Sequence, residues 1–335
     1  MTLLDALDQL TAPGDLYEVV DEAAHKIRCY ACAHRCLLKD GRRGICQVRY
    51  NDGGVLRVPR GYVGALQVDP VEKKPFYHLL PGDTALSFGM LGCDLHCEHC
   101  QNWDISQAGR DDRAGRDPMA ISADQLIRLG QERGAGIVAS TYNEPLITTE
   151  WAVEIFKLAK AAGMKTAYVS NGNATPEVLD YLSPHLDAYK IDLKSMRDRA
   201  YRELGAVLQH ILDTIQQVHA RGLWLEVVTL VIPGFNDSTE ELWDMARFLQ
   251  GISPDIPWHV TAYRPAYKMA DPPATPLDTL VRAAEIGSEA GLRYVYAGNV
   301  PGDFYEHTRC PECGAKMLRE GSEHHRLWQE KHAAD

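Results

Sequence analysis

The chain has 335 residues, 45% hydrophobic and 24% charged, with 35 Lys and Arg against 46 Asp and Glu for a formal net charge of -11. That composition suits a water-soluble protein of one large or two smaller domains, and with no apolar run near the roughly 18 residues of a membrane span it excludes a membrane crossing. The negative balance argues against a broad nucleic-acid footprint, which needs clustered Lys and Arg, and a start carrying Asp5 and Asp8 lacks the pattern of a secretory signal, so a cytoplasmic location is expected.

Nine cysteines in a reducing compartment point to metal or redox chemistry rather than disulfides. They fall into three groups along the chain. The first, Cys29-x2-Cys32-x3-Cys36-x9-Cys46, supplies four ligands in one segment, with Gly41 and Gly44 easing the turn. Structural zinc and an iron–sulfur cluster both accept four thiolates. Further on, Asp69-Pro70-Val71 leads into Glu72-Lys73-Lys74-Pro75, with His78 shortly after; no chemistry is assigned to this stretch, which reads equally as a surface charge run or as a motif placed ahead of the second cysteine group.

From Thr84 the sequence alternates strand-like and helix-like segments. Strands are expected at 84–91, 136–142, 165–171, 188–194, 223–232, 258–263 and 293–297. Helices are expected at 122–134, 148–162, 176–182, 199–221, 239–249 and 277–290. Short apolar runs separated by longer amphipathic ones mark repeated βα units on a parallel sheet. Gly163, Gly222 and Gly291 stand where left-handed helix caps are favoured. Periodicity does not distinguish an open doubly wound sheet from a barrel, but both place their chemistry at the C-terminal strand ends. Those ends carry the second cysteine group, Cys93-x3-Cys97-x2-Cys100, then Asn143 and Glu144, Asn171, Asp192 and Lys194, and Arg264. Three thiolates on one loop leave one iron of a cubane free to bind something else. A zinc site completed by His96 or His99 is the alternative. The third group, Cys310-Pro311-Glu312-Cys313, is half of a zinc ribbon, which His307, His324, His325 or His332 would have to complete.

These motifs, with Gln101 to Ser106, Ser140 to Pro145, Asp192-Leu193-Lys194, Val231 to Asp237 and Val295 to Asn299, resemble the radical S-adenosylmethionine (SAM) superfamily. More narrowly, the chain resembles proteins related to the pyruvate formate-lyase activating enzyme, and among them the radical SAM component of the AmmeMemoRadiSam system. The resemblance implies an α/β fold, a partial open (β/α)6-type parallel barrel over residues 84–300. Small Cys-rich appendages would flank it at 1–83 and 301–335.

It also implies a 4Fe-4S cluster on Cys93, Cys97 and Cys100, and a SAM molecule chelating the fourth iron. One electron from a low-potential donor of flavodoxin or ferredoxin type would split SAM into methionine and a 5'-deoxyadenosyl radical that takes hydrogen from a small-molecule or protein substrate. Matching motifs put Asn143 and Glu144 at the SAM amino group, and Asn171, Asp192 and Lys194 at ribose and carboxylate. Val231 to Gly234 would flank the adenine together with the stretch ending in Gly298 and Asn299. With the N-terminal cysteines expected apart from the barrel rim, zinc is favoured there over an auxiliary cluster. Two rival functions are an activase placing a glycyl radical on a partner protein, and a zinc-bearing interaction module with a vestigial barrel.

Overall fold

The structure, a computed structural model, describes residues 2–300 and 307–313. Its centre is an eight-stranded sheet in chain order: β1 (Ala65–Pro70), β2 (Thr84–Gly89), β3 (Ile137–Ser140), β4 (Lys165–Ser170), β5 (Ala188–Asp192), β6 (Trp224–Val231), β7 (Trp258–Ala262) and β8 (Val295–Gly298). From β2 to β8 all pairings are parallel, and the sheet ends at β1 and β8 without closing. Between successive parallel strands lie α1 (Ala123–Glu132), α2 (Thr149–Ala161), α3 (Pro176–Leu182), α4 (Asp198–Leu204) with α5 (Leu208–Ala220), α6 (Thr239–Ile252) and α7 (Leu277–Glu289). This is the expected open βα architecture. Strands covered on both faces become continuous apolar runs, and every residue of β3 and of β7 is buried. Ser122 and Ser238 cap α1 and α6 through their hydroxyls, and Gly163, Gly222 and Gly291 all have positive φ. Among the described residues no helix is long and apolar enough to cross a membrane.

Two features differ from expectation. The single helix expected over 199–221 is broken into α4 and α5 at Gly205, which has φ +93°. A Cβ there would lie 2.5 Å from the His96 ring, and His96 N donates to Leu204 O at 3.1 Å. The break therefore seats the cysteine loop on the end of α4. The second is β1, which runs antiparallel to β2 from Ala65 opposite Gly89 to Pro70 opposite Thr84. The expected boundary between residues 83 and 84 thus falls inside a hairpin of the sheet.

The segment joining β1 to β2 is not a surface run. Val71 and Phe76 are fully buried, packed with Ala85, Ile137, Ala139, Ala167 and Ala188 from β2 to β5. The next residues reach the other half of the sheet, where Tyr77 N and His78 N donate to Glu226 on β6 and the Tyr77 ring meets His259 on β7 and Tyr296 on β8. One short segment can touch β2 through β8 only if the sheet curls around it, so it plugs the barrel.

Glu226 anchors that plug. Fully buried, it also accepts from Trp224 Nε1 at 3.0 Å and pairs with His259 Nε2 at 2.6 Å. Burial pushes its carboxyl up, but the His259 hydrogen bond and the charges of His259 and His78 outweigh this and hold it below the usual glutamate range. Burial pushes the neighbouring His78 down. Both depressed groups contribute stability that is present at neutral pH and lost on acidification, the histidine's share as pH falls below about 6.5 and the glutamate's below about 4.5. Glu226→Ala should lower the unfolding free energy at pH 7 by about 3 kcal/mol or more, because it leaves the Tyr77 and His78 amides, the Trp224 indole and the His259 ring without their buried acceptor, each such loss costing about 1 to 3 kcal/mol. Urea unfolding measures it, and a loss under about 1 kcal/mol would mean that the plug is anchored elsewhere.

The N-terminal region forms two small antiparallel sheets, one of Thr11–Pro13, Tyr50–Asp52 and Val55–Pro59, the other of Tyr17–Asp21, Lys26–Cys29 and Leu37–Leu38. Arg49, 1% exposed, fastens it to the barrel with a two-pronged salt bridge to Glu150 of α2, both contacts 2.7 Å, and a third bond to Ile147 O. A buried ion pair persists where such hydrogen bonds satisfy it.

Candidate active site

The C-terminal strand ends surround a cavity of about 410 Å³. Its wall includes Cys93, Cys97 and Cys100, together with Asn143, Glu144, Asn171, Asp192, Lys194 and Asn299. Gly298, which ends β8, is not part of the wall, and Arg264 is exposed outside it. The ends of β2 and β3 come together closely enough that a Cβ on Gly89 would lie 2.6 Å from Thr141 O. From there the cysteine loop is braced from several sides. Asn143 Nδ2 donates to Gly92 O and its Oδ1 accepts from Met90 N, both at 3.0 Å, so its amide braces this backbone. Arg110 donates to Leu95 O at 2.6 Å, and Cys100 Sγ lies 3.2 Å from Ser106 Oγ.

Burial pushes the Cys97 thiol up to about 12, and Cys93 and Cys100 are raised for the same first reason. Thiolates in this wall therefore need a strong positive partner. The two loop histidines differ in place. His96 is exposed beside Gly205, whereas His99 lines the cavity with its buried Nδ1 unpartnered, and burial, then Lys194, holds it neutral with a pKa near about 3.

Glu144 is 2% exposed and accepts from Ser170 Oγ at 2.7 Å, Asn171 N at 2.7 Å and Leu146 N at 3.0 Å. Burial, and then the Asp94 carboxylate, lift it well above the usual carboxylate range. Asp94 is a residue the sequence reading passed over. Fully buried, it accepts from Asn171 Nδ2 at 2.7 Å and Asn173 Nδ2 at 2.9 Å, and lies beside Cys93 with Sγ to Oδ1 at 3.8 Å. Asn171 thus spends its amide on Asp94.

Asp192 bridges two lysines, with Lys194 Nζ at 2.9 Å from one oxygen and Lys190 Nζ on the other. Burial raises Asp192, yet the two ammonium groups outweigh it and hold the carboxyl low; burial likewise lowers Lys194, and Asp192 outweighs it to keep the ammonium charged. Two cations on one carboxylate leave one positive charge facing the cavity. Lys190 was not singled out in the sequence, although residues 190, 192 and 194 share one face at the strand period of two. Lys74, from the run expected at the surface, is 5% exposed and lines the same cavity. Its Nζ reaches Asp69 Oδ1 at 2.9 Å and Tyr142 Oη at 3.0 Å.

The N-terminal cysteines do not stand apart from the rim. His34 Nε2 lies 3.1 Å from Asp94 O, Ala33 N donates to Asn173 O at 2.8 Å, and Thr175 Oγ1 donates to Tyr30 O at 2.5 Å. The reason for favouring zinc there is therefore removed. Burial, and then the neighbouring Asp94 carboxylate, push the Cys32 thiol well above its ordinary value. Among the described residues no three His, Cys, Asp or Glu side chains close on one point as around a single metal ion. At the other end, Cys310 is half-buried and Cys313 exposed, and Thr308 Oγ1 lies 2.9 Å from Tyr296 Oη. His324, His325 and His332, proposed to complete that site, lie outside the described residues.

The protein is 35% identical over 304 residues to the uncharacterized protein MJ0808 of Methanocaldococcus jannaschii, covering 90% of this chain and 89% of that one. It is 26% identical over 177 residues to a pyruvate formate-lyase-activating enzyme of Listeria monocytogenes, 51% of this chain and 71% of the relative. A radical SAM methyltransferase from Sphaerobacter thermophilus shares the fold, with a TM-score of 0.51 at 16% identity over 67% of this chain and 68% of that chain. The model of the radical SAM superfamily matches residues 89–249, the stretch that runs from the end of β2 through the cysteine loop and Glu144 to α6, and with a relative so similar over most of its length the chain belongs to the radical SAM superfamily.

Proposed function

We propose that the chain cleaves SAM reductively, using a 4Fe-4S cluster on Cys93, Cys97 and Cys100, and directs the resulting radical at a substrate. The observation that carries this reading is one cavity whose wall brings three thiols together with an acceptor, Glu144, and a net-positive Lys190–Asp192–Lys194 group. The donor set fits the cluster, since three thiols and no fourth cysteine line the wall and leave one coordination site for a ligand. When bound, the cluster supplies one electron to the sulfonium and splits SAM into methionine and a 5'-deoxyadenosyl radical.

The chain's residues do the positioning. Glu144 spends three of about four acceptor positions on its own fold and keeps one for the SAM ammonium. Lys194 takes the carboxylate, with Asp192 and Lys190 fixing its ammonium. Val228, Leu230, Thr261 and Asn299 remain for the adenosine. Asn143 and Asn171 act behind this layer, holding the loop and Asp94. A low-potential flavodoxin or ferredoxin supplies the electron.

The test is direct. Anaerobically reconstituted and reduced protein, incubated with SAM, should give 5'-deoxyadenosine and methionine in equal amounts. Their absence with the cluster present would sink the reading.

A second reading narrows the substrate to a partner protein that receives a glycyl radical. Its support is the set of relatives named as activating enzymes, one acting on pyruvate formate-lyase and one on isethionate sulfite-lyase. The interaction-module reading finds no support in a cavity so furnished.

A further inference from the structure

SAM brings one carboxylate to the cavity, and Lys194, held on Asp192, is the ammonium assigned to it above. The wall carries a second group of the same kind. Lys73 and Lys74 both line the cavity and both lie on one carboxylate, Asp69, with Lys74 Nζ 2.9 Å from Oδ1 and Lys73 Nζ 3.9 Å from Oδ2. Two ammonium groups on one carboxylate give a surplus positive charge that SAM cleavage does not use.

The two groups reach the cavity from different sides. The cysteine loop and Lys194 follow the C-terminal strand ends, and Lys194 is the ammonium whose charge bears on the Cys97 and Cys100 thiols. Lys74 instead rises from the plug. Val71 and Phe76, on either side of it in the chain, are buried with Ala85, Ile137 and Ala188 at the starts of β2, β3 and β5, and Asp69 stands opposite Ala85 in the hairpin.

Lys74 is 5% exposed, and its Nζ donates to Tyr142 Oη at 3.0 Å besides meeting Asp69. An ammonium has three N–H donors, so these two contacts leave one for the cavity. A pair serving only to fasten the hairpin would need one ammonium for its one carboxylate. The second cation, and the place of both in the cavity wall, call for an anion, since a desolvated cation short of counter-charge is costly.

We propose that the substrate is a small molecule carrying a carboxylate or a phosphate, which Lys74 and Lys73 hold on the plug side of the cavity, so that the rest of the molecule extends toward the SAM site. Asp69 and Tyr142 are positioning residues that fix the Lys74 ammonium. The role as substrate anchor rests on the SAM-cleavage reading, but the anion site does not.

Inorganic phosphate and acetate, titrated separately by calorimetry into oxidised, cluster-loaded protein saturated with SAM, test the site while SAM occupies Lys194. At least one of them should bind once per chain, and the tighter names the group. Lys74→Met should weaken that anion about tenfold or more, the usual worth of a hydrogen bond to a charged group, and leave SAM affinity within about twofold of wild type. Binding of neither anion, or an anion affinity unchanged by Lys74→Met, overturns the proposal. A larger loss of SAM affinity also overturns it, because Lys74 would then serve SAM. Should Lys74→Met not fold, Lys73→Met decides, since that side chain is 66% exposed; it should weaken the anion about threefold, and an unchanged affinity overturns the proposal. For the substrate role, small molecules of a cell extract that an anion exchanger retains should raise 5'-deoxyadenosine formation in reduced wild type and not in Lys74→Met, and absence of that difference overturns it. No 5'-deoxyadenosine from reduced wild type under any condition would instead remove the proposed function and leave the anion titrations standing.

Discussion

Changing Cys93, Cys97 and Cys100 together to Ala should abolish formation of 5'-deoxyadenosine, down to the background of SAM with reductant alone. No other group in the cavity wall holds an iron–sulfur cluster; besides the three thiols the wall is made of lysines, carboxamides, carboxylates, hydroxyls, the His99 imidazole and apolar side chains such as Leu95, Val169, Val228 and Leu230. Two thiolates would not substitute for three, because the loop supplies the whole protein share of the cluster's ligands. Loss of activity through unfolding is separable. The thiol sulfurs line a cavity, so their truncation removes little packing and should cost no more than about 1 kcal/mol each. The apo variant should therefore still unfold in one cooperative transition, at a urea concentration somewhat below that of apo wild type. Turnover above background in a variant shown to be folded would exclude the triad as the site of SAM cleavage.

Much of this arrangement was legible in the chain because parallel strands buried on both faces and helices with one apolar stripe leave different periods. The cysteine loop, Glu144, Asp192 and Lys194 follow strands that can be read directly, and the strand ends of a βα sheet share one rim. What escaped depended on contacts between distant residues. Gly205 looks like a tolerated interior glycine in an amphipathic run, and only the His96 ring against it shows why the helix must stop there. The strand Ala65–Pro70 sits at an edge with mixed burial and has no apolar signature. The charge run from Glu72 to Pro75 reads as solvated until Val71 and Phe76 are seen inside the barrel. Asp94 sits within the cysteine motif and was overshadowed by it; its partners, Asn171 and Asn173 after β4 and the backbone contact to His34, come from two distant stretches of chain. Lys190 was the avoidable omission, since its spacing from Asp192 and Lys194 already put all three on one face.

The second large effect belongs to the two ends of the bound SAM. Glu144→Gln and Lys194→Met should each leave the cluster and its absorbance intact while weakening SAM binding about 30- to several-thousand-fold. That range corresponds to about 2 to 5 kcal/mol for depriving a desolvated charge of its partner. The losses should differ in character. Lys194 is one of two cations on Asp192, so Lys194→Met removes that group's surplus positive charge and leaves the Lys190–Asp192 pair neutral, with Lys73 and Lys74, both on Asp69, as the other ammonium groups of the wall. Glu144 is held protonated at neutral pH by burial and by Asp94, so the SAM ammonium must displace a proton as it binds. Wild-type affinity should accordingly rise as pH increases through the neutral range, and Glu144→Gln, which has no proton to release, should lose that dependence along with its affinity. Calorimetry across pH on cluster-loaded protein reads both quantities at once. Wild-type affinity in either variant would return that residue to a structural role, and a pH slope unchanged in Glu144→Gln would place the displaced proton on another group of the cavity.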